Sequence, residues 1–364
     1  MEKFSLCSKF GCVMLLCGCW TAGRHSHLLL SHAVAQQATG RTTAEATSDR
    51  NLNGQWSLDL PNDEAGWLSI REEAGRLAAE LMWGVGSAKP IEVEQSDEHT
   101  LQFVRTLRMP HQLPDTTTNE STKPSRFLVT VRARGDVLTC TMRPADSRAD
   151  EGASIHFLGR RQPPIPAQPN LAQVQFGEPI ALFNGRNLAG WRPSNPDKKN
   201  GWSVRQGVLC NDTPKTDFSA YGDYANLRTD EEFNDFALHI EYRLPHDTGG
   251  NSGVYLRGMY EVQVTHRDSK MQGINGPGAV FGRIEPSRNA GQPAGSWETL
   301  DILLVDRHVS VRLNDQLVID NRPVEGCTGG ALLSDVTQPG PIYLQGDHTS
   351  VEYRNIVLRP RVAN

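Results

Sequence analysis

The chain has 364 residues, long enough for two ordinary domains. Its net charge is −5, from 37 Lys and Arg against 42 Asp and Glu, and no basic run stands out, which argues against a nucleic-acid partner. The 33 Gly and 22 Pro speak for turns rather than disorder, and seven Trp with seven Tyr provide for real cores.

The N-terminus reads as a targeting segment. Lys3 and Lys9 form a positive start, and "FGCVMLLCGCW" (Phe10–Trp20) is an apolar run too short to span a bilayer. Ala33-Val34-Ala35 before Gln36 is a small-x-small cleavage pattern, so residues 1–35 are expected to be a signal peptide. The expected destination is the periplasm or the outside of the cell, with no transmembrane span. "LCGC" (Leu16–Cys19) also resembles a lipoprotein signal, which would tether the chain by a lipid on Cys19. Four of the seven cysteines lie in this segment, leaving Cys140, Cys210 and Cys327, whose spacing is neither a disulfide framework nor a zinc motif. Cys210 and Cys327 either pair or remain buried free thiols. Residues 36–50 are small and polar and read as a flexible leader.

Residues 51–161 repeat one pattern, short alternating runs divided by turns. "GWLSIREEAGRLAAELMWG" reads as strand, turn, strand, and "RGDV" (Arg134–Val137) as a hairpin tip. A long polar stretch, "PHQLPDTTTNESTKPS", interrupts them. The simplest fold is a small antiparallel β-domain closed into a barrel. "QPPIPAQPN" (Gln162–Asn170) has four prolines in nine residues and opens a linker expected over 162–177. Residues 178–360 return to alternating strands with few stretches of helical period, which predicts an all-β jelly-roll sandwich of two packed sheets.

Alternation sorts side chains by sheet face. In "SGVYLRG", Val254 and Leu256 share one face, Tyr255 and Arg257 the other. In "YEVQVTH", Val262 and Val264 oppose Glu261 and Gln263; in "FALHIEYRL", Leu238 and Ile240 oppose His239, Glu241 and Arg243. "ETLDILLV" places Asp301, and "PIYLQGDH" places Tyr343 and Gln345, opposite apolar partners. The plain reading is a solvated outer face. However, this face carries no Lys and mixes Tyr, Arg, Gln, Glu and His, a set that hydrogen-bonds sugar hydroxyls and stacks on sugar rings. A cleft holding Asn251, Tyr255, Arg257, Glu261 and Gln263, extended by Glu241, Asp301 and Gln345, is therefore expected. The tight turn is expected at Gly258–Met259. The Gly-rich "QGINGPGAVFGRIEPSRNAGQPAG" (Gln272–Gly295) either closes over the site, with Arg283 reaching into it, or is a surface insertion.

The ordered set "LFNGRNLAGW", "GNSGVYLRGMYEVQV", "PAGSWETLDI", "VRLNDQLVID" and "GPIYLQGDHTSVEYRNIVL" resembles the 3-keto-disaccharide hydrolase family, secreted bacterial proteins with a concanavalin-like jelly roll. The resemblance spans about residues 178–360. It implies action on glycosides already oxidised at C3: a base removes the C2 proton, an enolate forms and expels the C1 substituent, and water adds. Under this resemblance Glu261 or His348 is the base. Arg257, or a bound divalent metal, holds the enolate. Glu241, Asp301 and His266 are candidates for acid, ligand or orienting group, and Gln263 and Gln345 recognise hydroxyls. Two rivals stand beside this. An ordinary laminarinase-type glycosidase would show a Glu-x-Asp-x-x-Glu strand, and none is found. A non-catalytic lectin-like module would need the same polar face. Either way the expected partner is an oligosaccharide or glycoside.

Overall fold

The strands segregate into an N-terminal antiparallel sheet and a two-sheet sandwich. The computed structural model describes residues 52–108, 124–146, 154–214, 223–246 and 249–362. The expected signal peptide, Cys19, the leader and most of the polar stretch after Met109 lie outside them.

The N-terminal sheet has nine strands. Its spatial order runs Lys89–Ile91, Arg76–Trp83, Glu64–Glu73, Gly54–Leu60, Ile155–Arg161, Val137–Pro144, Pro124–Arg134, Thr100–Arg108 and Glu94–Asp97. The two edge strands are neighbours in sequence, so the meander curls into a nearly closed barrel. Closure follows from alternation: Trp56, Leu58, Leu68, Ile70, Val129 and Leu138 point inward as one core. Both expected turns form, with Ala74 and Gly75 at positive φ between one strand pair and Gly135 at the "RGDV" tip.

The sandwich has a five-stranded sheet in the order Trp191–Pro193, Leu227–Phe233, Gly340–Leu344, Ser252–Leu256, Tyr260–Val264. Facing it is a sheet built from Trp202–Arg205, Val208–Asn211, Val351–Pro360, Phe236–Arg243, Trp297–Val305, His308–Leu313 and Gln316–Pro323, with Ile180–Ala181 added beside Val351–Pro360. Ile240, Tyr242, Leu300, Val254, Val262 and Leu344 fill the space between the two. This is the expected all-β jelly-roll architecture preceded by a barrel-like domain. Among the described residues no helix is long and apolar enough to cross a membrane. Cys140, Cys210 and Cys327 are buried free thiols, so the Cys210–Cys327 pair is not formed.

The proline-rich segment is more firmly held than a spacer. Gln162 Nε2 donates to Ser334 O (3.2 Å), Arg307 donates to Pro163 O (2.7 Å), and Asn321 Nδ2 donates to Pro169 O (2.9 Å). The barrel also shares apolar surface with the sandwich. Ala65, Trp67 and Met82 point out of the barrel, alternating with its inward residues, and are buried in the sandwich's core cluster. Accordingly all described residues fall in one compact unit, Ala46–Asn364.

Candidate active site

The strand Ser252–Leu256 is buried at every position, and so is its neighbour Tyr260–Val264. One face of each packs into the sandwich. The other faces outward, yet Tyr255 is 1 %, Glu261 3 % and Gln263 0 % exposed. Phe281 of the Gly-rich segment, Gly329–Gly330 and the barrel residues Val85 and Gly86 border this face, and the Gly-rich segment pairs along the edge strand: Gln263 N–H donates to Ala279 O and Phe281 N–H to Glu261 O, each at 2.9 Å. This segment is an ordered added edge, not a surface insertion. What remains open is a pocket of about 310 Å³ whose polar lining includes Tyr255, Glu261, Gln263, Gln345, Asp347 and His348.

Strand pairing brings these groups together. Tyr255 sits opposite both Glu261 and Tyr343 across its two neighbours, which puts the three on one face. The Tyr255 and Tyr343 rings meet edge to face at 4.7 Å. The Glu261 side chain lies across Gly253, where a Cβ would collide with its carboxyl group, so glycine is required there. Burial pushes the Glu261 carboxyl from its ordinary 4.5 up to about 8; the Tyr255 hydrogen bond opposes this and the Asp347 charge adds to it. The proton count agrees. Tyr255 Oη has one proton and two acceptors, Glu261 Oε2 at 3.0 Å and Gly329 O at 2.8 Å. A protonated Glu261 satisfies both contacts, donating to Tyr255 Oη while Tyr255 donates to Gly329. Burial, and then Glu261 itself, raises the Tyr255 phenol well above its usual range, so it stays a donor.

On the other wall, His348 Nδ1 lies 2.7 Å from Asp347 Oδ1. A carboxylate accepts from Nδ1–H, which leaves the imidazole lone pair on Nε2. Asn226 Oδ1 holds this turn by accepting from the N–H groups of Gly346 (2.6 Å) and Asp347 (3.0 Å). Asn251 Oδ1 accepts from Gln263 Nε2 at 2.9 Å. The amide oxygens of Gln263 and Gln345 are buried without a hydrogen-bond partner among the described residues. A buried acceptor of this kind costs about 1–3 kcal/mol, which a ligand hydroxyl relieves.

Residues 178–359, half of the chain, match the model of the 3-keto-alpha-glucoside-1,2-lyase-like domain. The chain belongs to that family. It is thereby a carbohydrate-active protein, as its sequence motifs imply. No curated protein matches the chain. Among solved structures, a Parabacteroides distasonis protein assigned as a glycosyl hydrolase aligns at 27% identity over 53% of this chain and 92% of its own, with a TM-score of 0.40. A second from that organism aligns at 18% identity over 50% and 93%, with a TM-score of 0.40. The carbohydrate-binding module CBM66 from Bacillus subtilis aligns at 13% identity over 47% and 95%, with a TM-score of 0.31.

Within the lyase-like domain, five expected site residues lie elsewhere. Arg257 leaves the strand: its φ is 56°, the alternation stops at Leu256, and the turn runs through residues 257–259. Its guanidinium is buried against the carbonyls of Val336 (2.9 Å) and Gln338, so it ties down a loop and does not line the pocket. Glu241 and Asp301 are on the opposite sheet. Glu241 accepts from Arg354 Nε at 2.7 Å, and Asp301 bonds His239 Nδ1 at 2.7 Å. The latter pair sits in a separate trough of about 410 Å³, where its polar groups are half-exposed and mutually satisfied. Arg283 lies over the Trp67 ring at 4.1 Å and donates to Cys327 O (2.7 Å), away from the pocket lining. His266 packs against Gly250 instead. Conversely, Asp347, Asn226, Phe281 and the barrel residues Val85 and Gly86 line the pocket without having been singled out. Only the Asp347-His348 dipeptide carried a local signal. Among the described residues no group of three or more His, Cys, Asp or Glu side chains is placed to hold a metal ion.

Proposed function

We propose that the protein cleaves 3-keto-glycosides by elimination in this pocket, with His348 as base and Glu261 as acid. The observation that carries this reading is a buried carboxyl held protonated near neutrality in the same small pocket as a histidine oriented by a carboxylate. Two groups with environments so different divide the acid and base roles. The sequence alone left Glu261 and His348 as alternative bases; burial of Glu261 favours the acid role at neutral pH.

The C3 ketone acidifies C2–H. His348 Nε2 takes that proton, and the C–H electron pair forms the enolate across C2 and C3. Gln345 Nε2, held only at 3.5 Å by Tyr255 Oη, is a donor free to turn to the enolate oxygen. Collapse restores the C3 carbonyl, forms C1=C2 and breaks the C1–O bond, whose electrons leave with the glycosidic oxygen. Glu261 protonates that oxygen. Tyr255, bonded to Glu261, steadies the acid and donates a hydrogen bond to the carboxylate left behind. Water adds across C1=C2 to give the 3-keto sugar. The unpartnered Gln263 and Gln345 oxygens accept ring hydroxyls.

Glu261 and Asp347 are also two carboxyl groups in one pocket, the minimum of an ordinary glycosidase. The engagement of Asp347 by His348 favours the elimination reading. One experiment separates them: the purified protein is given methyl 3-keto-α-glucoside and methyl α-glucoside. Consumption of the keto sugar alone, with C2–H exchange in D2O, is expected. Turnover of the parent glucoside would establish ordinary glycosidase chemistry, and binding with no turnover of either would establish a lectin. We also propose export from the cytoplasm, on the strength of the Lys3, Phe10–Trp20 and Ala33-Val34-Ala35 pattern. N-terminal sequencing of the cell-envelope protein is expected to begin near Gln36, and a lipid on Cys19 would instead mark a tethered form.

A further inference from the structure

The pocket is divided by chemistry. Asn226, Asn251, Gln263, Gln345 and the Asp347–His348 pair make a polar group, in which Gln263 bonds Asn251, and Asn226 holds the turn that carries Asp347 and His348. Val85, Gly86, Phe281, Gly329 and Gly330 form a second group with no polar side chain among them; Met271 and Tyr343 also line the pocket. Contacts gather this second group in one place. Gly330 N–H donates to Gly84 O at 2.7 Å, and a side chain at Gly329 would collide with the Gly86 backbone. Ser87 lies against Gly282, next to Phe281. Glu261 stands at the boundary, joined to the second group through Tyr255 Oη and Gly329 O.

Two of these residues come from the barrel, outside the stretch that matches the family. Their loop, residues 84–88, is tied down by backbone hydrogen bonds. Val85 N–H donates to Trp83 O at 2.7 Å and Gly84 N–H to Ala65 O at 3.2 Å. Below it Trp67 is fully buried, clamped between Gly326 and the Arg283 guanidinium. Val85 itself is 53% exposed, an apolar side chain presented at the pocket rather than used in a core.

We propose that this loop of the barrel forms the wall of the leaving-group subsite, with Val85 its specificity-determining contact, and that the glycosides accepted carry an apolar or aromatic aglycone. The inference rests on the elimination reading. That reading puts the proton donor beside the departing oxygen, and Glu261 marks the border between the two groups. The sugar with its hydroxyls then lies against the polar group. The leaving group lies against Val85, Phe281 and the bare glycine backbone, where no side chain of Gly86, Gly329 or Gly330 stands in the way of a ring. The Arg283–Trp67 clamp, by this account, sets the position of a specificity loop rather than touching substrate.

The test compares benzyl and methyl 3-keto-α-glucosides, whose leaving alcohols are of similar acidity, on the full chain and on Val85→Ser. The wild type is expected to favour the benzyl glycoside in kcat/KM, and Val85→Ser to lower the benzyl-to-methyl ratio about tenfold, the discrimination typical of losing an apolar contact. The ratio is insensitive to the fraction of folded enzyme, so a merely structural role of Val85 would not move it. A wild type that turns over both with equal efficiency, or an unchanged ratio in Val85→Ser, would overturn the inference while leaving the elimination reading intact. A wild type that turns over neither would remove the elimination reading itself and this inference with it.

Discussion

Replacing Glu261 by Gln isolates the cost of burying this carboxyl. In the unfolded chain it titrates near 4.5, in the folded protein near 8. Below pH 4.5 both states hold the proton and the group is silent. Between these values the unfolded chain has lost its proton and the folded protein has kept it, so stability falls as pH rises, by about 1.4 kcal/mol per pH unit. Above pH 8 both states are ionised and the curve is flat again. The loss from this one group is about 4–5 kcal/mol across the window. Glutamine has the same shape, and its Nε2 can donate to Tyr255 Oη as the protonated acid does, but it does not titrate. The advantage of Glu261→Gln over the wild type should therefore grow by about 4–5 kcal/mol from pH 4.5 to 8 and then level off. Urea unfolding of both proteins at several pH values between 4 and 9 measures this difference. Other buried carboxyls cancel in the subtraction, Glu298 with its carboxyl raised to about 7 among them. A difference that stays constant with pH would refute a protonated Glu261, and with it the acid role.

The same protonation gives activity a sign: kcat/KM on a 3-keto-glycoside should fall as pH rises through about 8, because the acid is lost, whereas a rising profile would make Glu261 the base. His348→Gln should lower turnover by about two to four orders of magnitude with the thermal midpoint little changed, checked by steady-state kinetics beside a melting curve. Arg257→Ala should behave in the opposite way: losing a buried guanidinium bonded to the carbonyls of Val336 and Gln338 should cost about 2–4 kcal/mol in urea unfolding, with turnover per folded molecule retained. Limited proteolysis should spare residues 162–170, since Gln162, Pro163 and Pro169 are hydrogen-bonded to the sandwich; early cleavage there would show these bonds to be weak.

The period of two is a local property of extended backbone, and it determined a good part of the site. Along Ser252–Leu256 and Tyr260–Val264 it places Tyr255, Glu261 and Gln263 on one face whatever the strands pack against, and the family motifs carry the chemistry. The same rule fails where the chain leaves the strand: the turn expected at Gly258–Met259 begins one residue earlier, at Arg257, whose positive φ breaks the alternation. It fails again at Glu241 and Asp301. Alternation says which face of its own strand a residue takes, but not which sheet the strand joins, and Phe236–Arg243 pairs with Trp297–Val305 and Val351–Pro360, not with the strands around the pocket. Only tertiary structure decided that the polar face is buried, because its cover comes from the segment at residues 278–281 and from a barrel far away in sequence. Burial in turn sets the proton on Glu261, since desolvation depends on every group that excludes water from the carboxyl and not on the residues beside it in the chain.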